Sequence, residues 1–521
     1  MLILFAVIGY GIYAYALYFD AVSAFQQFGY KRKKWLEWLK IHREKLLIRS
    51  VIAILPFIFL SIEKEIFRFD DKGYLVFIYL IIIICLYVHL STFKIKVKAK
   101  FTKRLIRESA LALVLFTISG CLTDYVLRLI LNNSACYSYL YIFIFPAFLV
   151  LSDIIFSPYE KWLYSHYIGR CKKKLCSDSN LIKIGVTGSF GKTSVKEFLA
   201  EMLKYDYKVY ATPKSYNTPL GICLSVKDMP ENCEVFIAEM GAKRLGDVKE
   251  LADIVQPQMG IITAIGSQHL ETFGSLENVK NAKYELIEGL QGDGVAIFSI
   301  ETPEIKELYD RTKCRKISVG INKGDVYCKD ISINGGNTEF VLVIKGKNYA
   351  ASTKLIGKHN LLNIALAAAA ASELGVSGDR IVSAVRRLKP PKHRLEVIET
   401  SSGVTVIDDG YNANPEGIRS AAEAIKSFSG KKFAVVAGLV ECGEYAEKLN
   451  AEAGECLGGA VDMLIAVGVN SDYILSGANK TDCETVAVKN LDDAKSILKS
   501  KVMRGDVVIF INDLPDIYES N

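Results

Sequence analysis

No Cys-x-x-Cys pair occurs among the twelve cysteines of this 521-residue chain. Cys171 and Cys176 are near neighbours but lack partners at zinc-site spacing, so reduced thiols are expected rather than a metal knuckle or a disulfide framework. There is no internal repeat, which argues against a solenoid, and no low-complexity tract, which argues against a disordered tail. An even spread of charge is also missing. Residues 1–180 carry 24 basic and 12 acidic side chains, whereas 181–521 carry 40 basic and 45 acidic. The formal charge of +7 therefore belongs to the first third of the chain, and no nucleic-acid partner is expected. The first apolar run has no basic segment before it and is followed by others, which argues against a secretory signal peptide.

What the first third does hold is apolar length. Five stretches, 2–25, 46–62, 74–92, 109–131 and 138–156, approach the roughly 20 residues that a spanning helix needs. Residues 31–45 and 93–107 contain seven Lys or Arg each, the 63–72 segment mixes three basic with four acidic residues, and 132–137 is uncharged. Since basic loops stay on the cytoplasmic side, these counts predict a multi-pass cell-membrane protein with its N-terminus outside and its later domains cytoplasmic. The tract Arg170, Lys172, Lys173, Lys174 is then expected to lie against anionic lipid.

After the apolar runs comes the sequence Gly185-Val186-Thr187-Gly188-Ser189-Phe190-Gly191-Lys192-Thr193-Ser194, between an apolar run at 181–184 and a helical stretch at 194–203. A strand, a glycine turn and a helix start make an anion cradle. Backbone N–H groups face phosphates, Lys192 reaches their oxygens, and the Thr193 hydroxyl is a ligand for Mg2+. ATP binding is the prediction. The spacing departs from the general Walker pattern, with Val186 where that pattern has glycine.

From Leu181 onward, short β-branched runs alternate with helical stretches. Val235–Ala238, Met259–Thr263 and Val295–Ser299 read as strands and His359–Leu374 as a helix, a pattern that predicts a parallel sheet covered by helices. Lys316–Lys354 reads as an antiparallel insertion, and Pro390-Pro391 as a boundary. Beyond it, strands at Val404–Ile407, Phe433–Val436, Met463–Val467, Thr485–Val488 and Val507–Ile511 predict a second, smaller α/β domain.

Several further segments follow in a fixed order. They are Ser215-Tyr216-Asn217-Thr218-Pro219-Leu220-Gly221, Ala238-Glu239-Met240-Gly241-Ala242, the run Ile262 to Ser275 containing His269 and followed by Ala282-Lys283, Gly357-Lys358-His359-Asn360-Leu361-Leu362-Asn363, and Asp408-Asp409-Gly410-Tyr411-Asn412-Ala413-Asn414-Pro415. Together with Thr187-Gly188-x-x-Gly191-Lys192-Thr193, this series over roughly 181–510 resembles the Mur ligase family, closest to its members that join D-alanyl-D-alanine to a UDP-muramoyl tripeptide. The apolar stretches predict an N-terminal α-helical membrane domain of about five transmembrane helices at 1–178, a departure from the family, whose UDP-binding domain usually stands there. A P-loop central α/β domain at 179–390 and a Rossmann-like C-terminal domain at 391–521 complete the expected fold class.

The site residues follow from the same resemblance. Thr187, Gly188, Ser189, Gly191, Lys192, Thr193 and Ser194 are expected to hold the ATP phosphates. Glu239, emerging at the carboxyl end of a strand beside the loop, joins Thr193 on Mg2+. His269 is implied as a ligand of a second Mg2+, assisted by Lys283 when carbamylated. Arg394 is implied to contact ATP phosphate, Asp409 the ribose hydroxyls, and Asn360 the adenine or ribose side. Asn217, Tyr411, Asn412 and Asn414 are expected near substrate.

Parts of this kind activate a carboxylate by phosphoryl transfer and let an amine displace phosphate, with Lys192, His269, Lys283 and Arg394 as the catalytic set and ATP with two Mg2+ as cofactors. The expected partners are a peptide-bearing carboxylate, an amino acid or dipeptide amine, and membrane lipid, with a lipid-linked precursor as one form of the substrate. A ligase for another polymer such as poly-γ-glutamate, a non-ligating membrane regulator and a transport ATPase are the other readings. Two departures touch substrate identity: Leu439 stands where the family commonly has Asp, and Ile511-Asn512-Asp513-Leu514-Pro515 where a Lys-Gly-Ser end is usual.

Overall fold

The computed structural model describes residues 14–51 except 16, 45 and 49, then 99–131, 143–213, 215–266, 270–334, 337–390, 394–410, 415–440, 442 and 445–511. Its contacts divide the chain into two units, Met1–Leu163 and Tyr164–Asn521.

The described part of the first unit is helical: Phe19–Gln27, Arg32–Ile41, Lys103–Leu131 and the start of Phe145–Cys176. Trp35, Phe25, Leu105, Phe116 and Phe145 are its buried centre, and the Trp35 indole N–H donates to the Ala21 carbonyl at 2.7 Å. Charge is buried there too. The Arg104 guanidinium reaches Glu108 at 2.7 Å and Asp153 at 3.0 Å, and Asp153 also takes the Arg32 guanidinium at 2.5 Å.

These observations correct the five-span, multi-pass membrane placement. Among the described residues one helix is long and apolar enough to cross a bilayer, Lys103–Thr123. The stretch 74–92, most of 46–62, residues 2–13 and 16 of the first stretch and 138–142 of the last lie outside the described residues. The helix expected at 138–156 instead continues to Cys176 through charged residues, with Pro158 inside it. The physical reason is that a hydropathy window counts apolar residues without knowing what they face or where a helix ends: Leu105, Phe116, Phe145 and Leu149 pack on one another, whereas Val114, Ile118, Leu122, Ile154 and Ile155 are exposed. The lipid partner loses its support with the spans. The tract at 170–174 is the last turns of a helix whose Cys171 and Leu175 enter the core of the second unit, and the Lys174 ammonium donates to the Met229 carbonyl at 2.8 Å.

The second unit holds two sheets. The larger has nine strands: β1 (Ile182–Thr187), β2 (Val209–Ala211), β3 (Val235–Glu239), β4 (Met259–Ile262), β5 (Val295–Ser299), β6 (Arg315–Ile321), β7 (Val326–Asn334), β8 (Asn337–Ile344) and β9 (Lys347–Thr353). Their order is β2-β3-β1-β4-β5-β6-β7-β8-β9. Pairing is parallel as far as β7 and antiparallel from β7 to β9, so the expected insertion extends the main sheet rather than standing apart from it.

Both faces of this sheet are buried, which is why its central strands read as continuous apolar runs. In β3, Val235 and Ile237 point into one core while Phe236 and Ala238 point into the other. The first core is closed by the helices Lys192–Leu203 and Lys358–Glu373. The second helix is buried nearly all round through Ala365 and Ala367 to Ala371, whose small side chains let a helix lie close against its neighbours.

The smaller sheet has six strands: β10 (Glu396–Glu399), β11 (Thr405–Asp409), β12 (Lys432–Val436), β13 (Met463–Val467), β14 (Glu484–Val488) and β15 (Val507–Ile511). Its order is β10-β11-β15-β12-β13-β14, parallel except for β10 against β11. The short β2 and β10 were not expected from sequence.

Candidate nucleotide and metal site

Strand β1 lies between β3 and β4 in the large sheet, so the chain leaves its carboxyl end at the point where the strand order reverses, the usual ligand crevice of an open parallel sheet. Three segments meet there: the loop 188–191 after β1, Glu239 at the end of β3, and Thr263 to Gly266 after β4.

The loop is held from below. Ser189 donates its backbone N–H to the Ala264 carbonyl at 2.7 Å, and its hydroxyl accepts from the Gly266 N–H at 3.0 Å. The Thr263 hydroxyl donates to the Phe190 carbonyl. Closeness explains the glycines. A Cβ on Gly188 would stand 2.1 Å from the Thr263 hydroxyl oxygen, and one on Gly191 2.5 Å from the Asn363 amide oxygen. Both residues also take positive φ, 150° and 82°, which a side chain would resist.

Gly191 opens the helix Lys192–Leu203 with no side-chain cap, which leaves the first-turn N–H groups facing the loop. Lys192 folds back, its ammonium donating to the Gly188 carbonyl at 2.7 Å and the Ser189 carbonyl at 3.2 Å. Ser194 is buried in the same first turn, and the buried Thr187 hydroxyl donates to the Met240 carbonyl at 2.9 Å.

Glu239 is 1% exposed, and both its carboxylate oxygens are engaged. Oε2 accepts from the Thr193 hydroxyl at 3.0 Å and from the Lys196 ammonium at 3.1 Å, while Oε1 accepts from the Asn217 side-chain amide at 3.2 Å. A hydroxyl and a carboxylate at this separation beside a phosphate-type loop are the hard oxygen donors that Mg2+ prefers, so the residues present fit the ion.

The electrostatics are those of a cationic cleft awaiting anions. Burial pushes the Lys192 ammonium down to about 8, Glu239 opposing the fall and the Arg394 charge adding to it. Lys283, 3% exposed and 5.7 Å from the centre of the Phe273 ring, is pushed well below the usual lysine range by burial and then by the charge of Lys192, with Asp247 and Glu285 opposing. Burial also takes His359 down to about 4, again with help from Arg394. Asp409, at the end of β11, rises to about 6 through burial, against the pull of Arg394 and of the Leu395 N–H that donates to it at 3.2 Å.

Arg394 thus acts on Lys192 and His359 on one side and on Asp409 on the other. Asn360 is buried, and its amide donates to the Ile356 carbonyl at 2.8 Å. His269, Tyr411, Asn412 and Asn414 lie outside the described residues.

Two residues of the site escaped the sequence reading. Lys196 is one turn beyond Thr193 and Asn363 three residues beyond Asn360, so helical spacing alone puts each on the face of a residue already singled out.

Family models match in the same places: the Mur ligase middle domain over residues 186–371 and the Mur ligase glutamate ligase domain over 393–511. UDP-N-acetylmuramoyl-tripeptide--D-alanyl-D-alanine ligase of Bacillus subtilis is 32% identical over 334 residues, 63% of this chain and 72% of the relative. The chain belongs to the Mur ligase family. The enzyme of the same description from Escherichia coli is 28% identical over 295 residues, covering 56% of this chain and 65% of its own. Among solved structures, the MurF ligase of Thermotoga maritima in complex with ADP superimposes with a TM-score of 0.62 at 29% identity, over 67% of this chain and 80% of that one. MurF of Acinetobacter baumannii gives 0.63 at 26%, over 67% and 77%. With membership comes the class of chemistry, that of ATP-dependent ligases that use Mg2+.

Leu439, where the family commonly has Asp, is 2% exposed in the core of the smaller-sheet domain, with its backbone N–H and carbonyl both clamped by the Asn450 side chain at 2.7 and 3.1 Å. Its side chain supports the fold there. The segment after Ile511 lies outside the described residues.

Proposed function

We infer that this chain is an ATP-dependent carboxylate–amine ligase that joins D-alanyl-D-alanine to a UDP-muramoyl tripeptide, a peptidoglycan precursor. The observation that carries the reading is the Thr193–Glu239 pair beside the 188–192 loop, with the Arg394 charge bearing on Lys192 from the second sheet's side.

A carboxylate is a poor acyl donor, and transfer of the γ-phosphoryl group to one of its oxygens gives an acyl phosphate and ADP. The amine nitrogen then attacks the acyl carbon, phosphate leaves with the C–O bond electrons, and the nitrogen loses a proton to become an amide. Lys192 exchanges its loop carbonyls for phosphate oxygens, which restores its full charge, and Arg394 meets the same oxygens. Mg2+, when bound, neutralises charge on the transferring group, and Thr193 and Glu239 would hold it.

Lys283 has the environment that carbamylation needs. A lysine attacks CO2 only as the neutral amine, and burial beside Lys192 favours that form. The product, R–NH–COO− with release of one proton, is an oxygen donor that would join His269 at a second Mg2+. Asn217, Tyr411, Asn412 and Asn414 complete the reading on the substrate side.

The test is substrate dependence. Purified protein with Mg-ATP, UDP-muramoyl tripeptide and D-alanyl-D-alanine should release ADP and phosphate only when both carboxylate and amine are present. Turnover without the amine would favour an ATPase, and turnover with L-glutamate in place of the dipeptide would favour a polyglutamate ligase. Lys192→Ala should abolish activity.

A further inference from the structure

The pair that Lys196 makes with Glu239 is buried on both sides, each side chain being 2% exposed, at 3.1 Å. A buried ion pair contributes little net stability, because desolvating two charges offsets their attraction, so stability alone is a poor reason for it. Its position is more telling. Thr193 and Lys196 both donate to Glu239 Oε2, and Asn217 donates to Oε1. Among the described residues there is no group of three or more His, Cys, Asp or Glu able to hold a metal ion. Lys196 faces Glu239 and also draws down the neighbouring Glu197, whose carboxyl burial and the charge of Glu239 push up. Lys192 sets a second cation against Glu239, so the carboxylate meets ammonium charge where a divalent cation would have to bind.

We propose that Lys196 is a positioning residue that makes metal binding conditional on the nucleotide, by cancelling the charge of Glu239 while fixing its oxygens. A free divalent cation meets a neutralised carboxylate, and affinity of oxygen sites for such ions follows ligand charge. Mg2+ arriving on ATP brings phosphate charges that supply what the protein withholds. The carboxylate that Lys196 steadies also accepts the Thr193 hydroxyl hydrogen bond at 3.0 Å, which leaves the lone pairs of that hydroxyl oxygen for a metal ion. The inference rests on the reading of Thr193 and Glu239 as ligands for Mg-ATP.

Mn2+ is the probe, its binding to the full chain read from loss of the free-ion paramagnetic resonance signal, with and without a non-hydrolysable ATP analogue. Wild-type protein should bind Mn2+ tightly only with the analogue. Lys196→Gln keeps a donor toward Glu239 but drops the charge, and should bind Mn2+ without nucleotide about tenfold more tightly than wild type. Lys196→Arg should behave as wild type, and adding Glu239→Gln to Lys196→Gln should remove the gain. A Lys196→Gln protein, folded by circular dichroism, that binds free Mn2+ no better than wild type overturns the proposal. So does a wild-type protein that binds free Mn2+ as tightly as it does with the analogue, whether or not the variant folds. If wild type shows no analogue-dependent binding at all, the Mg-ATP reading of the site fails and the role of Lys196 fails with it.

Discussion

Lys283 and Asp409 carry the two residue-scale consequences of burying ionisable groups around Arg394 and Lys192. A neutral Lys283 amine is a substrate for CO2, so protein equilibrated with 13C-labelled bicarbonate should show a carbamate carbon resonance that Lys283→Ala lacks. That variant should lose most activity and regain part of it with added short carboxylates. Wild-type turnover in Lys283→Ala would remove the carbamate from the mechanism. For Asp409 the sign is fixed by linkage. Its folded value of about 6 lies above the ordinary 3.8, so the folded state holds the proton more tightly and loses stability as pH rises through that interval. Asp409→Asn keeps an acceptor for the Leu395 N–H and should raise Tm at pH 7.5 by about a degree or two, with the difference vanishing near pH 4. The same variant should bind nucleotide more weakly above pH 6, where the ionised carboxylate is the better acceptor for ribose hydroxyls.

Among elements, the helix Lys358–Glu373 shows how composition becomes geometry. Its alanines lie in the core against Leu199, Ile237 and Val319, and Ala368 is fully buried. Ala368→Leu has nowhere to place three further carbons and should cost about 1–3 kcal/mol, measured by urea unfolding with unchanged m-value. The first turn of that helix carries His359 and Asn360 and its second Asn363, so a strained Ala368 variant should also weaken nucleotide binding. Most strands were legible because the large sheet is buried on both faces and its β-branched runs are bounded by turns: Val295–Ser299, Met463–Val467 and Val507–Ile511 fall where the sequence put them. β2 has three residues and β10 ends in exposed ones, so neither offers enough apolar pattern to read. The phosphate loop was legible for another reason: Gly188 and Gly191 take positive φ, a local backbone demand that glycine alone meets freely, although the atoms that crowd them belong to the distant Thr263, Ala264 and Asn363.

At the scale of the whole molecule, the catalytic unit begins inside a helix. Cys171 and Leu175, 4% and 0% exposed, belong to the same core as Phe236, Ile262 and Leu286. A shortened chain that begins at Leu181 should therefore unfold at a lower temperature than one that begins at Ser157, the buried Leu175 alone being worth about 2–5 kcal/mol by analogy with truncating a core leucine. Equal Tm values would mean that this helix turn is not part of the core. The sequence by itself determined the family, the phosphate loop and the α/β alternation, because each is written in local spacing and residue type. Tertiary structure alone decided three things. Among the described residues of the first third, it showed that Leu105, Phe116 and Phe145 pack on one another beside the ion pairs of Arg104 with Glu108 and Asp153, while Val114, Ile118 and Leu122 stay exposed, a distinction that hydropathy cannot make. It set the Arg394 charge, which the family resemblance already implied at the ATP phosphates, against Lys192, His359 and Asp409 together. It also paired Lys196 with Glu239 across 43 residues, a contact that depends on how the β1 to β2 crossover packs its helix over the sheet.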